Sequence, residues 1–219
     1  MTADVALLDA VTAGAPPTLR LYRWDPPAVS LGRFQPDDDV DHDACRRHGV
    51  EVVRRPTGGN ALLHGGDLTY AVALPRPPGR AGSVRAVYEL LATGLIAGLA
   101  ELGVQAAVAR HDGPGRGPVC FAAQQGADLR VGERKLCGSA QTRTTAAVLQ
   151  HGSILLRRLP VDETDLVVPP GDRRTLRAVT VTLEELGAPV DPVVVGEALV
   201  AGFRRGLDVR FSPRPALTR

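Results

Sequence analysis

The chain has 219 residues, 44% of them apolar and 23% charged, and its 26 basic and 24 acidic residues leave a net charge of +2. That is the composition of a folded protein with a sizeable core, and the near-balance of charge excludes wholesale wrapping of nucleic acid. No apolar run approaches the roughly 20 residues of a membrane span, and the N-terminus lacks the basic segment of a secretory leader.

In chain order, residues 4–13 read as a helix with Val5, Leu8 and Val11 as its apolar stripe. Strands are predicted over 18–24 and 28–33. A helix over about 41–48 follows, closed by Gly49, then a strand over 51–55 that stops at Pro56. Residues 57–75 read as a glycine turn, a short strand, a second glycine turn and a longer strand. The clearest helix is 83–103: Ser83 caps it, Gly103 ends it, and Val84, Val87, Leu91, Leu95, Leu99 and Leu102 share a face. A strand over 105–110 and a Gly/Pro loop over 111–119 precede three strands, with turns at 131–134 and 144–146. Two helices close the chain, about 172–186 and 191–206, the second with Val194, Leu199, Val200 and Phe203 inward. Interspersed helices and antiparallel hairpins make this an α+β (mixed α/β) chain, and no linker divides it, so one domain over 1–219 is expected.

The basic residues comprise 25 arginines and one lysine, Lys135. In a chain that uses Arg almost everywhere, a retained Lys marks a position where a compact amine is needed. The alternative is an exposed lysine at a strand end. Lys135 begins a strand and is followed by Gly138, Ser139 and Ala140, which leave room beside the amine for a substrate chain.

The run Arg54-Arg55-Pro56-Thr57-Gly58-Gly59-Asn60 places two glycines and two arginines after a strand. Paired glycines let a backbone approach a ligand, and arginines pair with carboxylate or phosphate. The plainer reading is a turn with solvated arginines. Three cysteines, Cys45, Cys120 and Cys137, cannot all pair, which predicts free thiols and a reducing, cytoplasmic setting. Cys120 ends the Gly/Pro loop and is the candidate nucleophile; Cys137 shares a strand with Lys135 and is a weaker rival. No pair of histidines has metal-ligand spacing, so no metal site is expected, and His64 and His151 read by default as structural.

Taken together, Arg54 to Tyr70, Val29 to Gln35, Lys135 to Gln141 and Leu149 to Leu155 resemble, in order and spacing, the motifs of the lipoate/biotin protein ligase superfamily. The resemblance implies a mixed, largely antiparallel sheet flanked by helices. It implies an acyl pocket lined by Arg54, Arg55, Thr57, Gly58, Gly59, His64, Gly138, Ser139, Ala140 and His151, with Lys135 near the acyl carbonyl. Pro118-x-Cys120-Phe121, fifteen residues before Lys135, is similar to the Cys-dependent octanoyltransferase branch. That branch implies transfer of octanoyl from acyl carrier protein, through a Cys120 thioester, to a lysine of a lipoyl domain or of the glycine-cleavage H protein. No cofactor is then required, no nucleic acid or membrane is involved, and a monomer is expected. The alternatives are an ATP-dependent lipoate-protein ligase, using ATP and Mg, with Cys120 idle, and a non-catalytic acyl- or carrier-binding subunit. No separate C-terminal lid domain of the larger ligases is visible.

Overall fold

The structure is a computed structural model that describes residues 1–109 and 128–213. In chain order its elements are α1 (Thr2–Thr12), β1 (Thr18–Tyr22), β2 (Ala28–Leu31), α2 (His42–Arg47), β3 (Glu51–Arg54), β4 (Leu62–His64) and β5 (Asp67–Pro75). There follow α3 (Val84–Glu101), β6 (Ala107–Val108), β7 (Leu129–Val131), β8 (Arg134–Arg143), β9 (Ala147–Leu155), α4 (Arg173–Val179) and α5 (Pro192–Leu207). Six strands form an antiparallel sheet in the order β1-β5-β9-β8-β7-β6. Three form a second sheet, β3-β2-β4, in which β2 runs parallel to β3 and antiparallel to β4. The α+β class expected from the sequence is observed.

Strand alternation divides the large sheet between two layers. Leu68, Tyr70 and Val72 of β5, with Val148 and Ile154 of β9, face α3 and α5 and form the main core with Val87, Leu91, Leu95, Leu99, Val195, Leu199 and Phe203. On the opposite face, Ala71, Ala73, Ala147 and Leu149 pack against Leu8 and Val11 of α1. The small sheet buries its own cluster, Val29, Leu31, Val40, Cys45, Leu62, Leu166 and Leu176.

Local chemistry places the predicted helix starts. Asp41 and Ser83 accept from the Ala44 and Ala86 N–H groups, each satisfying a donor of the first turn. Four helix readings need correction. In α1 the inward position is Asp4, not Val5, which is 37% exposed. In α3, Val84 is exposed, and in α5 Val195 faces the core in place of the exposed Val194. The helix predicted over about 172–186 ends at Val179. Thr180 is extended and bridges Lys135, and the Val181 N–H donates to the Lys135 carbonyl at 2.9 Å. The run Val179-Thr180-Val181-Thr182 is wholly β-branched and satisfies its backbone on the large sheet, leaving one 3-10 turn over Glu184–Leu186.

Candidate active site

A pocket with about 400 Å³ between its walls lies where the small sheet meets the α1-facing side of the large one. Ser30, Arg55, Leu62 and His64 line it from the small-sheet side. Thr69, Gly138, Ser139, Ala140, His151, Gly152 and Ser153 line it from the large sheet. Arg55, His64, Gly138, Ser139, Ala140 and His151, which the family resemblance implies as acyl-pocket residues, are brought together around this pocket. Register explains the clustering: Gly138 pairs with Ser153 and Ala140 with His151 across β8 and β9, so small and polar residues alternate on one face.

Two chains of buried hydroxyl, imidazole and carboxylate run through the walls. In the first, Ser30 Oγ is 2.8 Å from His64 Nε2 and His64 Nδ1 is 3.0 Å from Asp67 Oδ2. Ser153 and Thr69 also donate to Asp67, and the Gly65 N–H reaches its other oxygen at 2.9 Å. Burial opposes ionisation of Asp67, but the His64 charge and these donors outweigh it and hold the carboxyl below its ordinary value. Trp24 stacks on the His64 ring, centroids 4.5 Å apart, and its indole N–H donates to Thr69 at 2.9 Å.

In the second chain, Thr57 Oγ1 is 2.6 Å from His151 Nε2 and His151 Nδ1 is 3.1 Å from Asp4 Oδ2. Asp4 also accepts from Tyr22 Oη and Arg20, each at 2.7 Å. Burial lowers the His151 pKa, so the ring is held neutral against the pull of Asp4. Asp4 is lowered despite its own burial, by His151, Tyr22 and Arg20. A neutral ring that donates a hydrogen bond from its Nδ1–H to Asp4 presents Nε2 to the Thr57 hydroxyl as an acceptor.

The two arginines do different things. Arg55 is 5% exposed and knits the turn, donating to the carbonyls of Ser30 at 2.6 Å, Gly58 at 2.9 Å and Asn60 at 2.7 Å. Arg54 turns away from the pocket lining and holds the carbonyls of Gly32 and Gln35, at 2.8 and 2.7 Å. Thr57, Gly58 and Gly59 form the shoulder beside the pocket rather than its lining. A Cβ on Gly32 would stand 1.7 Å from the Gly59 carbonyl oxygen, so glycine is needed there for the two loops to touch.

Lys135 is 1% exposed, and its Nζ lies 2.8 Å from Asp128 Oδ2. It is not an exposed strand-end lysine. Cys137, two residues on, is fully buried and its thiol is pushed up to about 12, first by burial and then by Asp128, which makes it an inert core thiol at neutral pH. Cys45 is buried against the small sheet. Cys120 and Phe121 lie outside the described residues. Among the described residues no cluster of His, Cys, Asp or Glu is arranged to hold a metal ion.

Sequence reasoning assigned no role to Ser30, Asp67, Thr69, Ser153, Asp4 or Asp128. The usable signals were slight: Asp4 falls one position off the apolar stripe of α1, and Asp67 opens a strand that is otherwise apolar and buried.

The family model described as the lipoyl protein ligase A/B catalytic domain matches residues 1–203. An octanoyltransferase LipM of Kyrpidia tusciae is 42% identical over 97% of this chain and 84% of its own length. One from Symbiobacterium thermophilum is also 42% identical, over 97% of this chain and 83% of its own. Among solved structures, lipoate-protein ligase A bound with ATP superposes with a TM-score of 0.77 at 25% identity, covering 98% of this chain and 84% of that one. The bipartite lipoate protein ligase of Thermoplasma acidophilum gives 0.78 at 23% identity, covering 97% of this chain and 82% of that one.

Proposed function

The chain belongs to the lipoyl protein ligase A/B catalytic domain family, and within it we propose that the protein is an octanoyltransferase working through a cysteine thioester. The donor is octanoyl–acyl carrier protein, and the acceptor is a lysine of a lipoyl domain or of the glycine-cleavage H protein. One observation carries the reading. The only lysine of the chain is buried on the strand whose next residues line a pocket of mixed apolar and polar character, in a chain 42% identical to relatives named octanoyltransferase.

In the first step Cys120 Sγ attacks the carbonyl carbon of the octanoyl thioester. The new S–C bond replaces the old one, and the carrier thiol leaves with the proton from Cys120. In the second step the acceptor's free amine attacks the acyl carbon. A C–N bond forms, the C–S bond breaks, and the amine's surplus proton ends on the Cys120 thiolate. Thioester exchange is nearly balanced and amide formation runs downhill, so the sequence needs no nucleotide.

Thiolate is the competent nucleophile, and a neighbouring ammonium favours it. Lys135 is that ammonium in this reading, and Asp128, 2.8 Å from its Nζ, fixes it inside the fold. The same charge faces the oxygen on which negative charge develops in each tetrahedral intermediate, a contribution of about 10²–10³ in rate. Gly138 and Ala140 leave space for the acyl chain, and the two hydroxyl–imidazole–carboxylate chains keep the walls in place.

The likeness to a ligase bound with ATP supports a second reading, in which octanoate or lipoate is activated as an acyl-adenylate and Cys120 is idle. An intact-mass spectrum after incubation with octanoyl–acyl carrier protein, without ATP, separates the two. An octanoyl adduct that is lost in Cys120→Ala is expected. No adduct, with an acyl-adenylate formed from free acid and ATP, would move the protein to the ligases.

A further inference from the structure

A second cleft lies on the far side of β4, between the β4–β5 turn, the end of β9 and residues 161–182. Its walls are largely apolar, with Leu63, Leu155, Leu159, Val161 and Leu176 among them, and Glu163 stands in them. Glu163 opens the 3-10 turn Glu163–Asp165 and is 7% exposed. Its Oε2 accepts the Leu63 N–H at 3.1 Å, on the edge of β4 that β2 leaves unpaired. Its Oε1 is buried and, among the described residues, has no hydrogen-bond partner. A buried carboxyl oxygen without a donor is costly and rare, and it asks for a ligand that brings one.

Among the described residues, the other buried and half-buried charges around the cleft are matched. Asp162 is held by Arg173 at 3.8 Å and Arg177 at 3.4 Å. Arg158 is tied to both oxygens of Glu185, each at 3.1 Å, and to Thr180 at 2.9 Å. Arg157 is exposed at the rim. Thr180, in the cleft wall, bridges the backbone of Lys135, and the Val181 N–H donates to the Lys135 carbonyl at 2.9 Å, so the cleft adjoins the strand that carries the lysine. An anion would meet Glu163, and among the described residues no uncommitted buried cation lines the cleft to hold it. A slender cation with an aliphatic stem fits both the carboxyl and the walls.

We propose that this cleft receives the side-chain ammonium of the acceptor lysine, with Glu163 as its counter-charge and the apolar walls enclosing its four-carbon stem. The proposal rests on the transferase reading for the identity of the amine. The carboxyl is pushed up to about 8, chiefly by burial, which suits it to take one proton from the bound ammonium to Oε1 and leave a free amine with its lone pair.

The test uses n-butylammonium chloride as the probe and the full chain labelled with ¹³C at glutamate carboxyls, the Glu163 signal being assigned by its loss in Glu163→Gln. A saturable shift of that signal by n-butylammonium, and not by equal sodium chloride, is expected. No shift overturns the proposal whatever the enzyme turns over. With lipoyl domain as acceptor, Glu163→Gln, which keeps an acceptor for the Leu63 N–H, should raise KM about tenfold or more with a smaller change in kcat. An unchanged KM overturns it as well. Absence of the octanoyl adduct in the wild type would instead defeat the transferase reading, so the two failures are told apart.

Discussion

His151 Nε2 lies 2.6 Å from Thr57 Oγ1, across 94 residues of sequence, while Asp4 holds the other ring nitrogen at 3.1 Å. One imidazole thus ties the first helix, the glycine turn and the central strand together at the edge of the pocket. The turn Thr57–Gly59 is held to the sheet through this contact and through the Arg33 N–H, which donates to the Thr57 carbonyl at 2.8 Å.

Removing the carboxylate should therefore be costly. Asp4→Ala leaves His151, Tyr22 and Arg20 without their shared acceptor, and a loss of about 3 kcal/mol is expected in urea unfolding. Asp4→Asn, which keeps one acceptor oxygen, should lose less. Equal stability of Asp4→Ala and wild type would show that α1 is held by its apolar contacts alone.

The same residues set the acid limb of the stability curve. His151, Asp4 and Asp67 all have lowered pKa values in the folded state. For each, the unfolded chain binds the proton more readily, so the stability they supply is present above the unfolded pKa and lost as pH falls. His151 acts first, below about 6.5, and the two carboxylates act below about 4. Melting temperatures measured from pH 7 to pH 3 should fall in two stages, and His151→Gln should flatten the first.

Glu163 acts with the opposite sign. Its folded pKa of about 8 is above its ordinary 4.5, so the folded chain binds the proton more readily and stability falls as pH rises across that window. Glu163→Gln carries no titrating group. Its melting temperature relative to wild type should rise steadily between pH 5 and pH 8 and level off above. A pH-independent difference would mean that the carboxyl is not buried in solution.

Lys135 and Asp128 are best tested as a pair. Lys135→Met leaves a 3% exposed carboxylate without its counter-charge, and a loss of about 3–5 kcal/mol is expected. Asp128→Asn combined with Lys135→Met should recover much of that stability. It should not recover transfer, which falls about 10²–10³-fold without the ammonium. Lys135→Arg keeps the charge, but the longer planar head does not fit a site built around one Nζ, so transfer should also drop sharply.

Gly152 is fixed by packing inside the sheet. A Cβ there would stand 2.3 Å from the Gly138 carbonyl oxygen and 2.7 Å from the Tyr70 ring, on the core side of β9. Gly152→Ala should therefore destabilise the fold by about 1–3 kcal/mol in urea unfolding. Unchanged stability would mean that β8 and Tyr70 give way at no cost.

What was legible in the sequence was what neighbouring residues decide. Asp41 and Ser83 announce helix starts because a cap needs only the three residues after it. The turns of the β7-β8-β9 meander follow from local backbone chemistry, and the motifs carrying the family resemblance are contiguous runs. Lys135 stood out by composition alone, as one lysine among 25 arginines. Burial and long-range pairing were decided only in three dimensions. Whether Asp4 or Val5 points inward depends on a strand face that presents His151, 147 residues from Asp4, because a carboxylate is buried only where donors from elsewhere meet it. The end of α4 was set by Lys135's backbone, which drew Thr180 and Val181 onto the sheet. Glu163 shows no pattern in its own neighbourhood; its importance comes from the β4 edge that it closes, and a strand edge exists only once the sheets have formed.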